Sequence, residues 1–263
     1  MPHVEYHAEG GVAQLTINVP PANCYSYAMM QDLDAAILRA RFDAEAHVIV
    51  VVGAGEKFFC AGADIRMLKG ADPTFKYNFC LHANETIARL EQTPKLVIAA
   101  LNGHCVGGGL EIALAADLRI ARRGAGQCGL PEVALGVLPG TGGTQRLTRL
   151  IGKSAAIEMM AEGLTMDFDE AQRLGIVNKV FDAPSAADFV GQVREYAKRF
   201  VPPAKASLAV GLLKRACQTG GELSLLDGLA LERELQQRLF QSSDATEGLA
   251  AYIEKRTAQF TGR

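Results

Sequence analysis

The chain has little of what would tie it to a nucleic acid, a membrane or an oxidising compartment. Its 27 basic and 29 acidic residues leave a formal net charge of −2, which gives no electrostatic footprint for polyanions or anionic surfaces. No uncharged apolar run approaches the roughly 18 residues that a bilayer span requires. The opening Met1-Pro2-His3-Val4-Glu5-Tyr6 lacks the basic start and apolar stretch of a secretory leader. The closing Thr261-Gly262-Arg263 is not a peroxisomal tripeptide. Six cysteines, at positions 24, 60, 80, 105, 128 and 217, contain no Cys-x-x-Cys pair, so reduced thiols in a cytoplasmic protein are expected rather than a disulfide framework. Repeats and low-complexity tracts are absent.

Several kinds of site are excluded in the same way. No Gly-x-Ser-x-Gly occurs, so there is no serine-hydrolase elbow. Gly53-Ala54-Gly55 follows an apolar run, but Phe58 occupies the third glycine position of a dinucleotide fingerprint. Gly152-Lys153-Ser154 ends like a phosphate-binding loop, yet Leu147 stands where its first glycine belongs. His104 and Cys105 are adjacent near a strand end, where neighbouring side chains point apart, which argues against a nucleophile pair. His3 and His7 precede a strand pattern rather than sharing a helix face, so no metal site is expected there.

What is present is a chain with 49% apolar and 21% charged residues over 263 positions, enough for a sizeable core. Ala13, Leu15 and Ile17 alternate with polar residues and predict a strand that Pro20-Pro21 ends. Ser26 predicts a helix cap for the face Met30, Leu33, Ile37 and Ala40. Residues 48–52 are a β-branched run, hence a central buried strand. Phe75, Phe79, Ala83, Ile87 and Leu90 predict a helix before Pro94. Residues 96–101 read as a strand buried on both faces, and residues 118–121 as another. Gly140-Thr141-Gly142-Gly143 opens a further helix. Helical patterns dominate from Ser154, with one strand expected at residues 176–181. A change in composition after Pro202-Pro203 divides the chain into a core, 1–200, and a helical module, 201–263. Alternating strand and helix patterns predict an α/β fold with a covered parallel sheet.

Two stretches carry chemistry. Asn102-Gly103-His104-Cys105-Val106-Gly107-Gly108-Gly109-Leu110-Glu111 and Cys60-Ala61-Gly62-Ala63-Asp64-Ile65 each lie just beyond an apolar strand, at the end of a parallel sheet where ligands bind. Glycines let backbone approach a ligand closely, and a helix start leaves N–H groups unpaired. Glu111 follows one turn later. Glu132 lies 21 residues beyond it, across an excursion that can return the chain to the same cleft. An acid beside an anion-stabilising backbone pocket points to an anion formed during proton transfer.

The residues Phe59-Cys60-Ala61-Gly62-Ala63-Asp64-Ile65-Arg66, Gly103 to Glu111, Leu130-Pro131-Glu132, Leu135 to Leu147, and Glu247-Gly248 through Glu254-Lys255-Arg256 with Phe260 together resemble the crotonase family, the enoyl-CoA hydratase/isomerase superfamily. The resemblance runs from about residue 10 to the C-terminus. It implies a spiral of ββα units with a C-terminal helical trimerisation module, and trimers that pair into a hexamer. It implies an oxyanion hole from the N–H groups of Ala63 and Gly108. Glu111 and Glu132 then fall on the two acid positions of the hydratases, Glu111 activating water and Glu132 supplying the α-proton. Ala61, Asp64, Ile65, Arg66, Lys57, Lys255 and Phe260 would contact substrate, the last two reaching a neighbour's CoA. The reaction implied is reversible addition of water to a 2-enoyl-CoA, with coenzyme A as part of the substrate and no separate cofactor or metal. A double-bond isomerase of the same scaffold typically keeps one acid, so the presence of two weighs against it. A non-catalytic or RNA-binding relative is a third reading, disfavoured by the near-neutral charge. Val19 stands where the family often has arginine, so one expected CoA contact is missing, and Cys24-Tyr25-Ser26, where smaller residues are usual, would reshape the thioester end of the cleft. Leu130 replaces a polar residue and would leave Glu132 in drier surroundings with a raised pKa.

Overall fold

Glycines at positions 10 and 11, both at positive φ, turn the chain back on itself and pair β1 (Val4–Glu9) antiparallel to β2 (Val12–Ile17). The computed structural model describes residues 2–263. Ser26 caps α1 (Tyr27–Phe42) by accepting the Met29 N–H. The chain then winds in repeated turns, each placing one strand in each of two sheets. The first turn supplies β3 (Val48–Gly53) and β4 (Phe58–Cys60), followed by α2 (Ile65–Gly70) and α3 (Pro73–Gln92). The second supplies β5 (Leu96–Leu101), β6 (His104–Val106) and α4 (Gly108–Leu114). The third supplies β7 (Leu118–Arg122), β8 (Gln127–Gly129) and a short 3-10 turn (Glu132–Leu135). This is the crotonase-like ββα spiral.

The larger sheet has the order β1-β2-β3-β5-β7-β10, parallel from β2 onward, with β10 formed by Lys179–Phe181. The smaller has the order β4-β6-β8-β9, with β9 (Thr165–Asp167) antiparallel at its edge. Period-two alternation sends the two faces of the larger sheet into separate cores. Leu15, Ile17, Ile49, Val51, Val97 and Ala99 pack toward α1 and α3. Val12, Val48, Val50, Val52 and Ile98 pack against Phe189, Val193 and Ala197 of α8 (Ala186–Lys198). Two-sided burial explains why β3 and β5 read as continuous apolar runs.

Between β8 and β10 lie α5 (Gly143–Ile151), α6 (Lys153–Glu162) and α7 (Phe168–Arg173). The strand expected at residues 176–181 is shorter than its apolar run. The N–H groups of Ile176 and Val177 return to the Ala171 carbonyl at the end of α7, so pairing with β7 begins only at Lys179. The C-terminal helices are α9 (Ser207–Gly220), α10 (Leu225–Phe240) and α11 (Ser243–Glu254). α9 is anchored on the core. Gly211 lies so close to the Pro94 carbonyl that no Cβ would fit, and the buried Lys214 ammonium pairs with Asp117 at 2.9 Å and donates to the Lys95 carbonyl. No helix among the described residues is long and apolar enough to cross a membrane.

Candidate active site

The loops that leave β4 and β6 meet at their glycines. A Cβ built on Gly62 would lie 3.2 Å from the Val106 carbonyl and 3.3 Å from the Gly108 nitrogen. The β4 loop is pinned to the segment before α1: Tyr25 N–H donates to the Gly62 carbonyl, and Asp64 N–H donates to the Tyr25 carbonyl. Between those two bonds, the Ala63 N–H has no acceptor among the described residues. Gly108, the first residue of α4, likewise has an unclaimed N–H. Two main-chain donors, one on each of these abutting loops, are therefore left open.

Three close approaches explain the run Gly107-Gly108-Gly109. Gly107 has φ 56° and faces Oε1 of Glu132, 3.1 Å from where its Cβ would be. A Cβ on Gly108 would overlap the Tyr25 ring, and one on Gly109 the Cys60 carbonyl.

The two carboxyl groups sit in contrasting surroundings. Glu111 is 1% exposed. Its Oε1 accepts the N–H of Thr141 at 2.7 Å and of Gly143 at 2.8 Å. Burial raises its pKa, and these two bonds, the Thr141 hydroxyl and the charge of Arg146 pull it back. Glu132 is half-buried on the 3-10 turn, and its Oε2 is sealed from solvent without any hydrogen-bond partner. Burial pushes its pKa up to about 7; a hydrogen bond from its own main-chain N–H opposes the rise, and the charge of Glu111 adds to it. Leu130 is fully buried, and the pKa of Glu132 is raised as expected, with burial the largest cause.

The structure thus brings Ala63, Gly108, Glu111 and Glu132 together. Ala61, Asp64, Ile65 and Arg66 follow β4 in the same loop and the start of α2. Asp64 caps α2 by accepting the N–H groups of Arg66 and Met67, while Ile65 and Arg66 are exposed. Lys57 stands at the opposite end of β4, its ammonium over the Phe58 ring. Lys255 is exposed at the left-handed end of α11, and Phe260 packs against Gly248 within the C-terminal helices. The single chain does not bring these last three to the acids.

Sequence reasoning missed two supports. Asn23, in the left-handed region at φ 53°, accepts the Val19 N–H and donates to the carbonyls of Ala54 and Phe58. It lashes the segment bearing Tyr25 to the β3–β4 connection, and its side chain followed by a capped helix was the available signal. The second support is the Thr141 and Gly143 amide pair. Its glycine cluster reads locally as a helix start, and nothing local shows that it faces Glu111.

Unclaimed main-chain donors beside one restrained carboxyl group and one with an unsatisfied oxygen are the parts that proton transfer next to a transient oxyanion requires. The sequence profile of the enoyl-CoA hydratase/isomerase family matches residues 7–263. The short-chain-enoyl-CoA hydratase of Clostridium acetobutylicum is 40% identical over 249 residues, 94% of this chain and 93% of that protein. The crotonyl-CoA hydratase of Syntrophomonas wolfei is 34% identical over 256 residues, 97% and 96% of the two chains. A crystal structure of an enoyl-CoA hydratase from Geobacillus kaustophilus superposes with a TM-score of 0.95 at 44% identity, covering 100% of this chain and 98% of that one. The chain belongs to the enoyl-CoA hydratase/isomerase family.

Proposed function

We propose that the enzyme hydrates 2-enoyl-CoA thioesters to 3-hydroxyacyl-CoA, reversibly, with Ala63 and Gly108 as oxyanion donors and Glu111 and Glu132 as the acid pair. The observation that carries this reading is the contrast between the two carboxyl groups beside two open amides. Water adds to the β-carbon only if charge driven onto the thioester oxygen is stabilised, and loss of one such donor costs about 3–4 kcal/mol. Glu111, held through one oxygen by two amides, keeps a fixed aim and takes a proton from the attacking water. Glu132, with a pKa near 7, is partly protonated at neutral pH and delivers the proton to the α-carbon. The two titrate as a coupled pair.

A short acyl chain is the reading favoured by the names of the two curated relatives. Ala61, Ile65 and Arg66 flank the open amides, which supports a role in seating the acyl-CoA, with Arg66 toward its phosphates. Lys57 would add a further charge for the same phosphates. Association through the C-terminal helices, as a trimer or dimer of trimers, is supported by Leu225, Leu226, Tyr252 and Ile253, each more than three-quarters exposed. It would carry Lys255 and Phe260 to a neighbour's CoA. The six free cysteines support a reducing compartment, the cytoplasm.

The test is loss of the conjugated-thioester absorbance of crotonyl-CoA with purified enzyme, followed by a chain-length panel compared by kcat/KM. Unchanged absorbance across the panel would remove the hydratase reading. Production of a 2-enoyl from a 3-enoyl thioester in its place would make the enzyme an isomerase.

A further inference from the structure

Tyr25 takes no part in the proposed chemistry, yet it touches both halves of the site. It is 4% exposed. Its ring leaves no room for a Cβ on Gly108 and stacks on Phe79 with centroids 5.6 Å apart. Its hydroxyl meets Thr141 Oγ1 at 2.9 Å. Thr141 in turn gives its main-chain N–H to Oε1 of Glu111. A buried phenol needs some partner, and that need alone would make the bond structural. The partner it has is the residue that holds the proposed base, and the residue its ring presses on carries a proposed oxyanion donor. One side chain thus spans the two groups whose separation decides whether water and thioester meet correctly.

We propose that Tyr25 is a positioning residue that fixes Glu111 through Thr141 and backs the Gly108 amide with its ring. The inference rests on the hydratase reading above. Glu111 is also faced by Arg146 from α5, by Glu132 from the 3-10 turn and by the Cys80 thiol from α3. The Thr141 hydroxyl, like the charge of Arg146, favours the ionised form, and the Tyr25 hydroxyl is the partner of that hydroxyl. Removing the phenol oxygen loosens that support, so the neutral form of Glu111 gains.

The experiment compares Tyr25→Phe, Thr141→Val, Thr141→Ser and the Tyr25→Phe/Thr141→Val pair with the parent enzyme on crotonyl-CoA. A small misplacement of a reacting group lowers turnover steeply, so kcat should fall about tenfold in Tyr25→Phe and Thr141→Val, with KM within about threefold. The acidic limb of kcat/KM should move to higher pH in both. Thr141→Ser, which keeps the hydroxyl, should restore kcat and the limb. The pair should be no worse than its weaker member, because both changes cut one chain of contacts. Parent-like kcat and pH profile in Tyr25→Phe, or losses that multiply in the pair, would overturn the inference. Should Tyr25→Phe fail to fold, the two Thr141 variants carry the same comparison. Glu111→Gln, assayed alongside, separates the two readings. Parent-like turnover there would remove the hydratase mechanism itself, while an inactive Glu111→Gln with a normal Tyr25→Phe would remove only the role of Tyr25.

Discussion

Glu111 and Glu132 are the same residue type in one cleft, and the protein treats them in opposite ways. The start of α4 and the second glycine cluster close on Glu111, giving one of its oxygens two amide donors. The 3-10 turn leaves Glu132 with a buried oxygen that nothing satisfies. Burial raises the pKa of both groups, but the two amides oppose the rise at Glu111, while Glu132, with one oxygen left without a partner, is pushed up to about 7. The difference suits two identical side chains to the separate base and acid roles proposed for them.

The largest expected effect removes either member. Glu111→Gln and Glu132→Gln should each lower kcat by about 10²–10⁴-fold, the usual worth of a positioned acid or base, with far-ultraviolet circular dichroism unchanged. Near-normal turnover in one variant would reduce the pair to a single functional acid.

The pH dependence sharpens the contrast. If neutral Glu132 donates the α-proton, kcat/KM for hydration should fall about tenfold per pH unit above about 7, and this limb should vanish in Glu132→Gln. Stability should follow the same group. A carboxyl with a raised folded pKa binds its proton more tightly when folded, so its contribution is full below pH 4.5 and is lost as pH rises through about 7. Glu132→Gln should therefore stabilise the protein at pH 8 by about 1–2 kcal/mol, discounted for the solvent-facing side of the group, and do little at pH 4. Thermal melts at the two values check this.

A smaller effect tests the restraint on Glu111. In Gly143→Ala the new Cβ would stand 3.0 Å from Oε1 of Glu111 and 2.9 Å from Pro139. We expect kcat to fall about tenfold, with any shift of the alkaline limb small because the charge of Glu111 is a lesser cause of the raised Glu132 pKa than burial. A large shift of that limb would make Glu111, rather than burial, its main determinant. Smallest is Arg66→Ala, which touches neither acid. It should raise KM for the CoA substrate about threefold, the worth of a surface charge contact, and leave kcat and both limbs alone.

Much of this was legible locally. The strands β2, β3 and β5, the Ser26 cap, the two glycine-bearing loops and the place of Glu111 in a helix start follow from patterns spanning a few residues, whereas Glu132 was joined to the site by the family resemblance. β1 was not expected, because His7, Ala8 and Glu9 are exposed and blur its alternation; its pairing with β2 across Gly10-Gly11 makes it a strand. The overlong strand at residues 176–181 failed for a related reason: apolar residues mark burial, and Ile176 and Val177 are buried as the close of α7 instead. The supports of the site were not legible at all. Thr141 and Gly143 lie 30 and 32 residues from Glu111, and Tyr25 lies 116 residues from Thr141.

By itself the chain's order of residues settled the α/β alternation, the places where backbone lies open, and which carboxyl groups stand near them, because side-chain periodicity, glycine and helix starts act over one or two turns. Only the folded molecule decided which acid is held by amides and which has a buried oxygen left without a partner. That distinction depends on amides and rings delivered by distant segments, and no local spacing along the chain encodes them.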